Sequence, residues 1–554
     1  MGSKNRSIPI IPMDPSMKLI HHFLEVNAAR LPEKVALVHG PVRASYDEIN
    51  SRANSLAHYF TSTGVRRGDR VALLMENSVE YVVAYYGIMK AGAVAVPLNS
   101  DLKPEGLRNA IDDLETRVLI SSSRFEKIIQ VSNLGELGPS EVIMKSPRSY
   151  RPSSGQTLTV FDSVTAARSL SNPDLPIGEG DLSSIIYTSG STGGPKGVML
   201  THRNIVDNTF SICQYLRLTE NDIQMCVLPF FYVMGKSLLN THFAVGGTLV
   251  INNQFAFSAV LLKEMIAENV TGFSGVPSTF AYLLHRSPLA ASRDKLTSLR
   301  YVSQAGGHMA RAIKEKLRRV LPPHTEIVIM YGATEGAARL SHLEPQKFLE
   351  KIESIGKAIP GVTLKIMKED GSEAAVGEVG ELVASGSNIM QGYWKNPKAT
   401  AEVLVNGWYH TGDLVYQDQE GFYFVVGRKD GLLKVGGHKL NPQEIEDMLL
   451  ESGMLVEAVV LGLPDGLLGN RLVVLAVPTE GVCASQTVMA FCAQRLSKFK
   501  MPSEVRFSKV LPKNASGKID RQDCLALFSS LPPTGLTAAP TLDQRSYAQP
   551  SDKD

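Results

Sequence analysis

Thr188-Ser189-Gly190-Ser191-Thr192-Gly193-Gly194-Pro195-Lys196-Gly197 gathers four hydroxyls and four glycines around a single lysine. Glycines let backbone N–H groups approach an anion closely, the hydroxyls of Thr188, Ser189, Ser191 and Thr192 add donors, and Lys196 brings a positive charge. The stretch reads as a loop that cradles the phosphates of a nucleoside triphosphate. Upstream, Ser184-Ile185-Ile186-Tyr187 is an apolar run suited to a buried strand. Downstream, Val198-Met199-Leu200 precedes Thr201-His202-Arg203-Asn204-Ile205-Val206, which opens a helix. A flexible Gly/Ser linker does not carry a fixed Pro-Lys-Gly ending between two apolar runs. The P-loop of the NTPases is excluded as well, because Pro195 precedes the lysine and Gly197, rather than Ser or Thr, follows it.

Working outward, the first half alternates helical and strand patterns. Tyr46 to Thr61 is amphipathic at helical spacing, Arg70 to Met75 is a strand, Val79 to Ala91 is helical, and Ala93 to Pro97 is a strand again. Such β-α-β alternation predicts parallel sheets covered by helices, an α/β fold. From about Gly361 the pattern shifts to short strands and turns, at Val362 to Met367, Glu378 to Ser385 and Gly421 to Gly427, predicting a small antiparallel β barrel. After Arg428 a compact α+β unit follows: helix Pro442 to Glu451, strands Val456 to Gly462 and Arg471 to Pro478, and a helix around Gln486 to Lys500. Asn441-Pro442-Gln443-Glu444 is a helix start, with Asn as N-cap, Pro at the first helical position and Glu at N3. The expected division is residues 1–428, 429–530, and a tail at 531–554 that buries too little to fold.

The chain has 554 residues, 44% hydrophobic and 20% charged, with a net charge of +2. This offers no basic excess for nucleic acid or anionic lipid, so the expected partners are small molecules. Cys213, Cys226, Cys483, Cys492 and Cys524 are scattered and odd in number, and they form no C-x-x-C pair. They suggest neither a disulfide framework nor a zinc site, and a reducing cytoplasm fits. Ser237 to Leu262 is uncharged until Leu262 but is interrupted by Asn240, His242, Asn252, Asn253 and Gln254, so it reads as buried α/β core rather than a membrane span. No secretory leader or myristoylation pattern is expected from residues 1–12.

Tyr187 to Gly197 closely resembles the signature of the adenylate-forming enzymes: acyl-CoA synthetases, nonribosomal-peptide adenylation domains and luciferases. Four further blocks appear in the family's order over roughly residues 20 to 525. They are Tyr331-Gly332-Ala333-Thr334-Glu335, Trp408-Tyr409-His410-Thr411-Gly412-Asp413, Gly427-Arg428-Lys429-Asp430 running on to Pro442-Gln443-Glu444-Ile445-Glu446, and Pro512-Lys513-Asn514-Ala515-Ser516-Gly517-Lys518. The resemblance implies ATP, Mg²⁺ and CoA as reactants and cofactor. It also implies a role for each matching position. Thr188 to Lys196, with Gly190, Gly193 and Gly194, hold the β- and γ-phosphates. Thr334 contacts the α-phosphate and Glu335 the metal, within a nucleotide site that includes Tyr331 and Gly332. Asp413 and Arg428 bind the ribose. Lys518 reaches the α-phosphate and the reacting carboxylate. Asp430 is the hinge about which a mobile C-terminal domain turns, bringing Gly436 and Gly437 to the CoA channel.

The resemblance places the acyl pocket at Leu228 to Gly235, including Phe231, Tyr232 and Gly235, where many relatives carry His in place of Tyr232. The block lacks the Asp that pairs a substrate ammonium in amino-acid-activating relatives, so a fatty or aryl acid is expected. Gln304, Ala305, Gly306, Gly307 and His308 align with the segment beside adenine and acyl group; His308 is expected as a hydrogen-bonding pocket residue, with a catalytic base as the alternative. Free CoA is the expected acceptor. An acyl-AMP ligase loading an acyl carrier protein, a luciferase-type oxidation, and a nucleotide-binding scaffold without catalysis remain as alternatives. Intact Lys518, Glu335 and Asp413 speak against the last.

Overall fold

The computed structural model describes residues 14–134, 138–166, 171–188, 195–255, 257–466, 468–479, 484–514 and 517–532. The β-α-β alternation becomes two large, mostly parallel sheets. In one of eight strands, Gly392–Tyr393, Lys196–Thr201 and Leu182–Thr188 form an antiparallel edge. Val94–Pro97, Arg70–Leu74, Val118–Ser122, Glu141–Lys145 and Thr157–Val160 continue it in parallel. The other, of nine strands, runs from Lys357–Ala358 through Ser341–Leu343 and Glu326–Tyr331 to a parallel centre and ends at Val35–His39 and Val42–Ser45. All four residues of Val94–Pro97 are buried, as expected of a parallel strand covered on both faces.

Local sequence sets the helix starts. Ser45 accepts from the Glu48 N–H ahead of Tyr46–Ser62, Ser78 does the same for Tyr81 ahead of Val79–Lys90, and Thr201 with Asn204 forms a reciprocal capping box for His202–Leu216. The uncharged stretch from Ser237 folds into helix Val233–Val245, strand Thr248–Ile251 and helix Ser258–Ala267; the expected buried core holds as far as Asn252, whereas Asn253, Gln254, Phe257 and Val260 are exposed. Among the described residues no helix is long and apolar enough to cross a membrane.

Val362–Met367, Gly380–Gly386, Trp408–Gln417, Leu404–Val405 and Tyr423–Arg428 form a five-stranded antiparallel sheet. The last strand starts two residues later than expected because Asp418 accepts from the Glu420 and Phe422 N–H groups and Gly421, at φ +84°, closes that turn. Past Lys429 lies a hairpin, Leu433–Val435 with His438–Leu440. A three-stranded sheet, Leu455–Asp465, Gly469–Pro478 and Glu504–Phe507, follows with its own apolar clusters. Helix Pro442–Glu451 starts on the Asn441 cap as read from the sequence, while Glu444 turns away to pair with Lys500 at 2.6 Å. Helix Ser485–Arg495 ends short of the expected Lys500, since the chain must extend at Met501-Pro502 to enter the strand at Glu504.

Candidate active site

Strand Trp408–Gln417 pairs antiparallel with Tyr423–Arg428 in a register that sets Asp413 opposite Arg428. Arg428 Nη1 donates to Asp413 Oδ1 at 3.1 Å, and the Tyr331 hydroxyl, from the end of strand Glu326–Tyr331, donates to Oδ2 at 2.5 Å. Gly412 is glycine because φ is +74° there and a Cβ would lie 3.1 Å from Arg428 Nη2. Burial pushes the Asp413 carboxyl above the usual carboxylate range; Arg428, and more weakly Lys518, oppose the shift. The outcome is an oriented acceptor beside a guanidinium, suited to a pair of vicinal hydroxyl donors. Arg428 Nε donates to Asp430 at 3.0 Å, so the expected ribose pair and hinge residue are in contact.

Glu381 braces this junction. Its Oε2 meets Lys429 Nζ at 2.7 Å and His410 Nδ1 at 2.9 Å, and its Oε1 accepts the Gly412 N–H at 3.0 Å. Burial raises its pKa, but these partners outweigh it and hold the carboxyl below the usual range. Nothing in the sequence pattern singled out Glu381, because its partners come from a neighbouring strand.

Thr334 and Glu335 sit on a tight 3₁₀ turn, Thr334–Gly336, directly after strand Glu326–Tyr331. Any side chain at Gly332 would place Cβ 2.1 Å from the Ala338 carbonyl oxygen, so the glycine lets the chain fold back on itself. Thr334 is buried. Glu335 Oε1 accepts from the Tyr393 hydroxyl at 2.8 Å, and Lys196 Nζ lies 5.2 Å from the centre of the Tyr393 ring. Tyr393, which the sequence reading missed, thus links Glu335 to the end of the phosphate loop. Ser189, Gly190, Ser191, Thr192, Gly193 and Gly194 lie outside the described residues. Their flanks are paired strands with Thr188 opposite Lys196. Gly197 permits the close approach of Trp394, whose Cβ would be 3.2 Å from an added one.

Lys518 follows Gly517, and Ala515 and Ser516 before them lie outside the described residues. Its N–H donates to Asn514 Oδ1 at 3.1 Å, its carbonyl accepts the Asn514 N–H at 2.8 Å, and Lys513 bridges Ile519. Gly517, at φ +78°, presses against Val276, and its carbonyl accepts from Ser278 Oγ at 2.7 Å. This docks Gly517 on the N-terminus of helix Pro277–Arg286. The lysine then reaches into the larger lobe: Nζ is 5.9 Å from the Tyr232 ring centre. A Cβ on Gly306 would stand 3.8 Å from Lys518 Cε and 3.9 Å from Met234 Sδ. Gly306, Tyr232 and Lys518 are therefore neighbours.

Four pocket assignments change. His308 is exposed and its Nε2 donates to Asp447 Oδ1 on helix Pro442–Glu451 at 2.9 Å, so it is a contact between the two parts of the chain and not a pocket histidine. The Cβ direction of Gly235 meets the Pro229 carbonyl at 2.1 Å, so its smallness serves helix packing rather than substrate room. Gly307 is exposed against Pro277, and its carbonyl accepts from the buried Gln304 amide at 2.8 Å. Gln304 thus shapes its own loop, with Ala305 buried and Gly306 half-buried beside it. Phe231 is half-buried beside Tyr232, while Phe230 fills the core against Tyr81. Gly436 and Gly437 sit at an exposed hairpin tip with φ +55° and +85°, and this arrangement does not bring them to Lys518 or Asp413.

The sequence pattern of AMP-binding enzymes matches residues 24–394, and that of the AMP-binding enzyme C-terminal domain matches residues 444–518. A long-chain-fatty-acid–CoA ligase of Bacillus subtilis (strain 168) is 30% identical over 535 residues, covering 92% of this chain and 94% of its own length. A feruloyl-CoA synthase of Amycolatopsis sp. is 33% identical over 498 residues, covering 89% and 96%. The o-succinylbenzoate CoA synthetase of Bacillus subtilis, solved with its acyl-adenylate intermediate, superposes with a TM-score of 0.77 at 27% identity, covering 93% of this chain and 99% of that one. The same synthetase has been solved with ATP and a magnesium ion, at a TM-score of 0.76 and 28% identity, over 91% of this chain and 99% of that one. On the match over residues 24–394 and the near full-length similarity, this chain belongs to the AMP-binding enzyme family.

Proposed function

We propose that this chain joins a carboxylic acid to AMP at the expense of ATP and then passes the acyl group to the thiol of CoA. In the first step a carboxylate oxygen bonds to the α-phosphorus, the bond to the bridging oxygen breaks, and its electron pair leaves with pyrophosphate. In the second the thiol gives its proton to solvent, sulfur bonds to the acyl carbon, and AMP departs with the electrons of the anhydride bond. The observation that carries this reading is Lys518, delivered by the C-terminal unit to within 5.9 Å of the Tyr232 ring centre and beside Gly306. A cation there neutralises charge where two anions must approach, worth on the order of 3 kcal/mol for one preorganised donor.

Asp413 and Arg428 hold the ribose, Thr334 the α-phosphate, and Thr188, Lys196 and the loop between them the outer phosphates. Glu335 fits a hard divalent cation, being an oxygen donor already oriented by the Tyr393 hydroxyl. Magnesium bound by Glu335 and the phosphates would spread the negative charge of the triphosphate. Between half-reactions the unit past Asp430 turns, withdrawing Lys518 and presenting Gly436 and Gly437 to the pantetheine path. The buried free thiols of Cys213, Cys226, Cys492 and Cys524 support a reducing, cytoplasmic setting. The relatives' names support CoA rather than a carrier protein as acceptor. The test is acid-dependent pyrophosphate release from ATP across fatty, aryl and amino acids, with and without CoA. Release with a fatty or aryl acid and thioester formation on adding CoA is expected. Release only with amino acids, or adenylate that CoA never discharges, contradicts the reading.

A further inference from the structure

Arg339, shortly after Glu335, is 2% exposed. Its Nε lies 3.4 Å from Met330 Sδ, its Nη1 donates to the Ala338 carbonyl at 3.0 Å, and its other close partner is the Tyr215 hydroxyl. All three are neutral, and among the described residues no carboxylate forms an ion pair with it. His342, stacked on Tyr215 with ring centres 4.2 Å apart, supplies no anion; burial pushes its pKa down to about 4, and its Nδ1 has no partner. A guanidinium cannot shed its proton at any ordinary pH, so unlike a buried lysine it cannot escape the cost of burial by neutralising. An unpaired buried charge is among the most unfavourable features a core can hold.

The position of the charge says what relieves it. Met330, Ala338 and Met234 belong to one apolar cluster, with Tyr232 packed against it. Tyr232 is within electrostatic reach of Arg339 on one side and of Lys518 on the other. Two cations therefore lie to either side of Tyr232: Lys518 over its ring, and Arg339 buried among apolar groups.

We infer that Arg339 receives a second carboxylate of the substrate, so that the acid this enzyme activates is a dicarboxylic acid. This rests on the proposed acid-activating function and adds to it the substrate class. One carboxylate of such an acid lies at Lys518 and is adenylated; the other meets the buried guanidinium, a planar fork suited to bidentate carboxylate binding. A monocarboxylic acid leaves the charge unpaired and is penalised accordingly.

The test compares acid-dependent pyrophosphate release for a series of aliphatic and aryl diacids, each beside its half-methyl ester. The ester keeps size and reacting carboxylate but removes the second charge. In the wild-type enzyme the best diacid should exceed its half-ester in kcat/KM by about 10- to 100-fold, the range of a charge-assisted hydrogen-bonded pair. Arg339→Gln should abolish that ratio by lowering turnover of the diacid while leaving or raising that of the half-ester, and Arg339→Lys should restore part of it. A general loss of structure would lower both substrates together, and the wild-type comparison decides the matter even if the variants fail to fold. Wild-type preference for half-esters or simple monoacids, or a ratio unchanged in Arg339→Gln, overturns the inference while leaving acid activation intact. Absence of pyrophosphate release with every acid overturns the proposed function itself.

Discussion

Replacing Asp413 by asparagine should weaken ATP binding without disturbing the fold. The side chain is 14% exposed and serves as acceptor for Arg428 at 3.1 Å and Tyr331 at 2.5 Å. Asparagine keeps the shape and one carbonyl acceptor but loses the charge and the second acceptor oxygen. A hydrogen bond to a charged group contributes about 1.5–3 kcal/mol, which corresponds to roughly 10- to 150-fold in affinity. Asp413→Asn should therefore raise the KM for ATP by that factor in acid-dependent ATP–pyrophosphate exchange, with a smaller effect on kcat. Arg428 retains Asp430 at 3.0 Å, so the guanidinium is not stranded and the melting temperature should change little. Using 2′-deoxy-ATP sharpens the assay: wild type should discriminate against it, and the variant should discriminate less, because the acceptor for that hydroxyl is already impaired. An unchanged KM for ATP, or undiminished discrimination in the variant, would refute the assignment of Asp413 to the ribose.

Gly332→Ala forces Cβ to 2.1 Å from the Ala338 oxygen, so it should destabilise the turn bearing Thr334 and Glu335 by at least about 1–3 kcal/mol, read as a lowered denaturation midpoint together with slower adenylation. Glu335→Gln should raise the magnesium concentration needed for half-maximal exchange and cut the rate about 100-fold, with thermal stability near wild type. His242 is buried with its pKa pushed down to about 4, below the ordinary value near 6.5, so the unfolded chain binds its proton first as pH falls. The stability it supports is present above about 6.5 and is lost as pH drops towards 4, by up to about 3 kcal/mol. Urea titrations across that window should show the slope, and His242→Gln should reduce it.

Much of the architecture is legible in local pattern. The run Val94 to Pro97 is apolar throughout because both faces are covered, and Ser45, Ser78 and Thr201 mark helix starts where their side chains do cap. The residues proposed for the nucleotide are legible because each sits in a fixed local block whose glycines answer to backbone geometry, as Gly332 and Gly412 do. What escapes the sequence depends on contacts between distant segments. Glu381 bracing Lys429, Tyr393 orienting Glu335, and Arg339 buried with no carboxylate partner among the described residues arise from strand pairing and packing that no short motif encodes. His308 shows the converse error, since alignment beside Gly306 and Gly307 suggested a pocket while the loop turns the imidazole to Asp447.

In the proposed reaction Lys518, brought from the C-terminal unit to Gly306 and Tyr232, drives adenylation and not thioester formation. The most direct measurement follows both half-reactions in Lys518→Ala: ATP–pyrophosphate exchange with acid, and CoA-dependent consumption of separately supplied acyl-adenylate. A loss of about 100-fold or more is expected in the first, with the second close to wild type. Exchange at the wild-type rate, or equal loss in both, would contradict it.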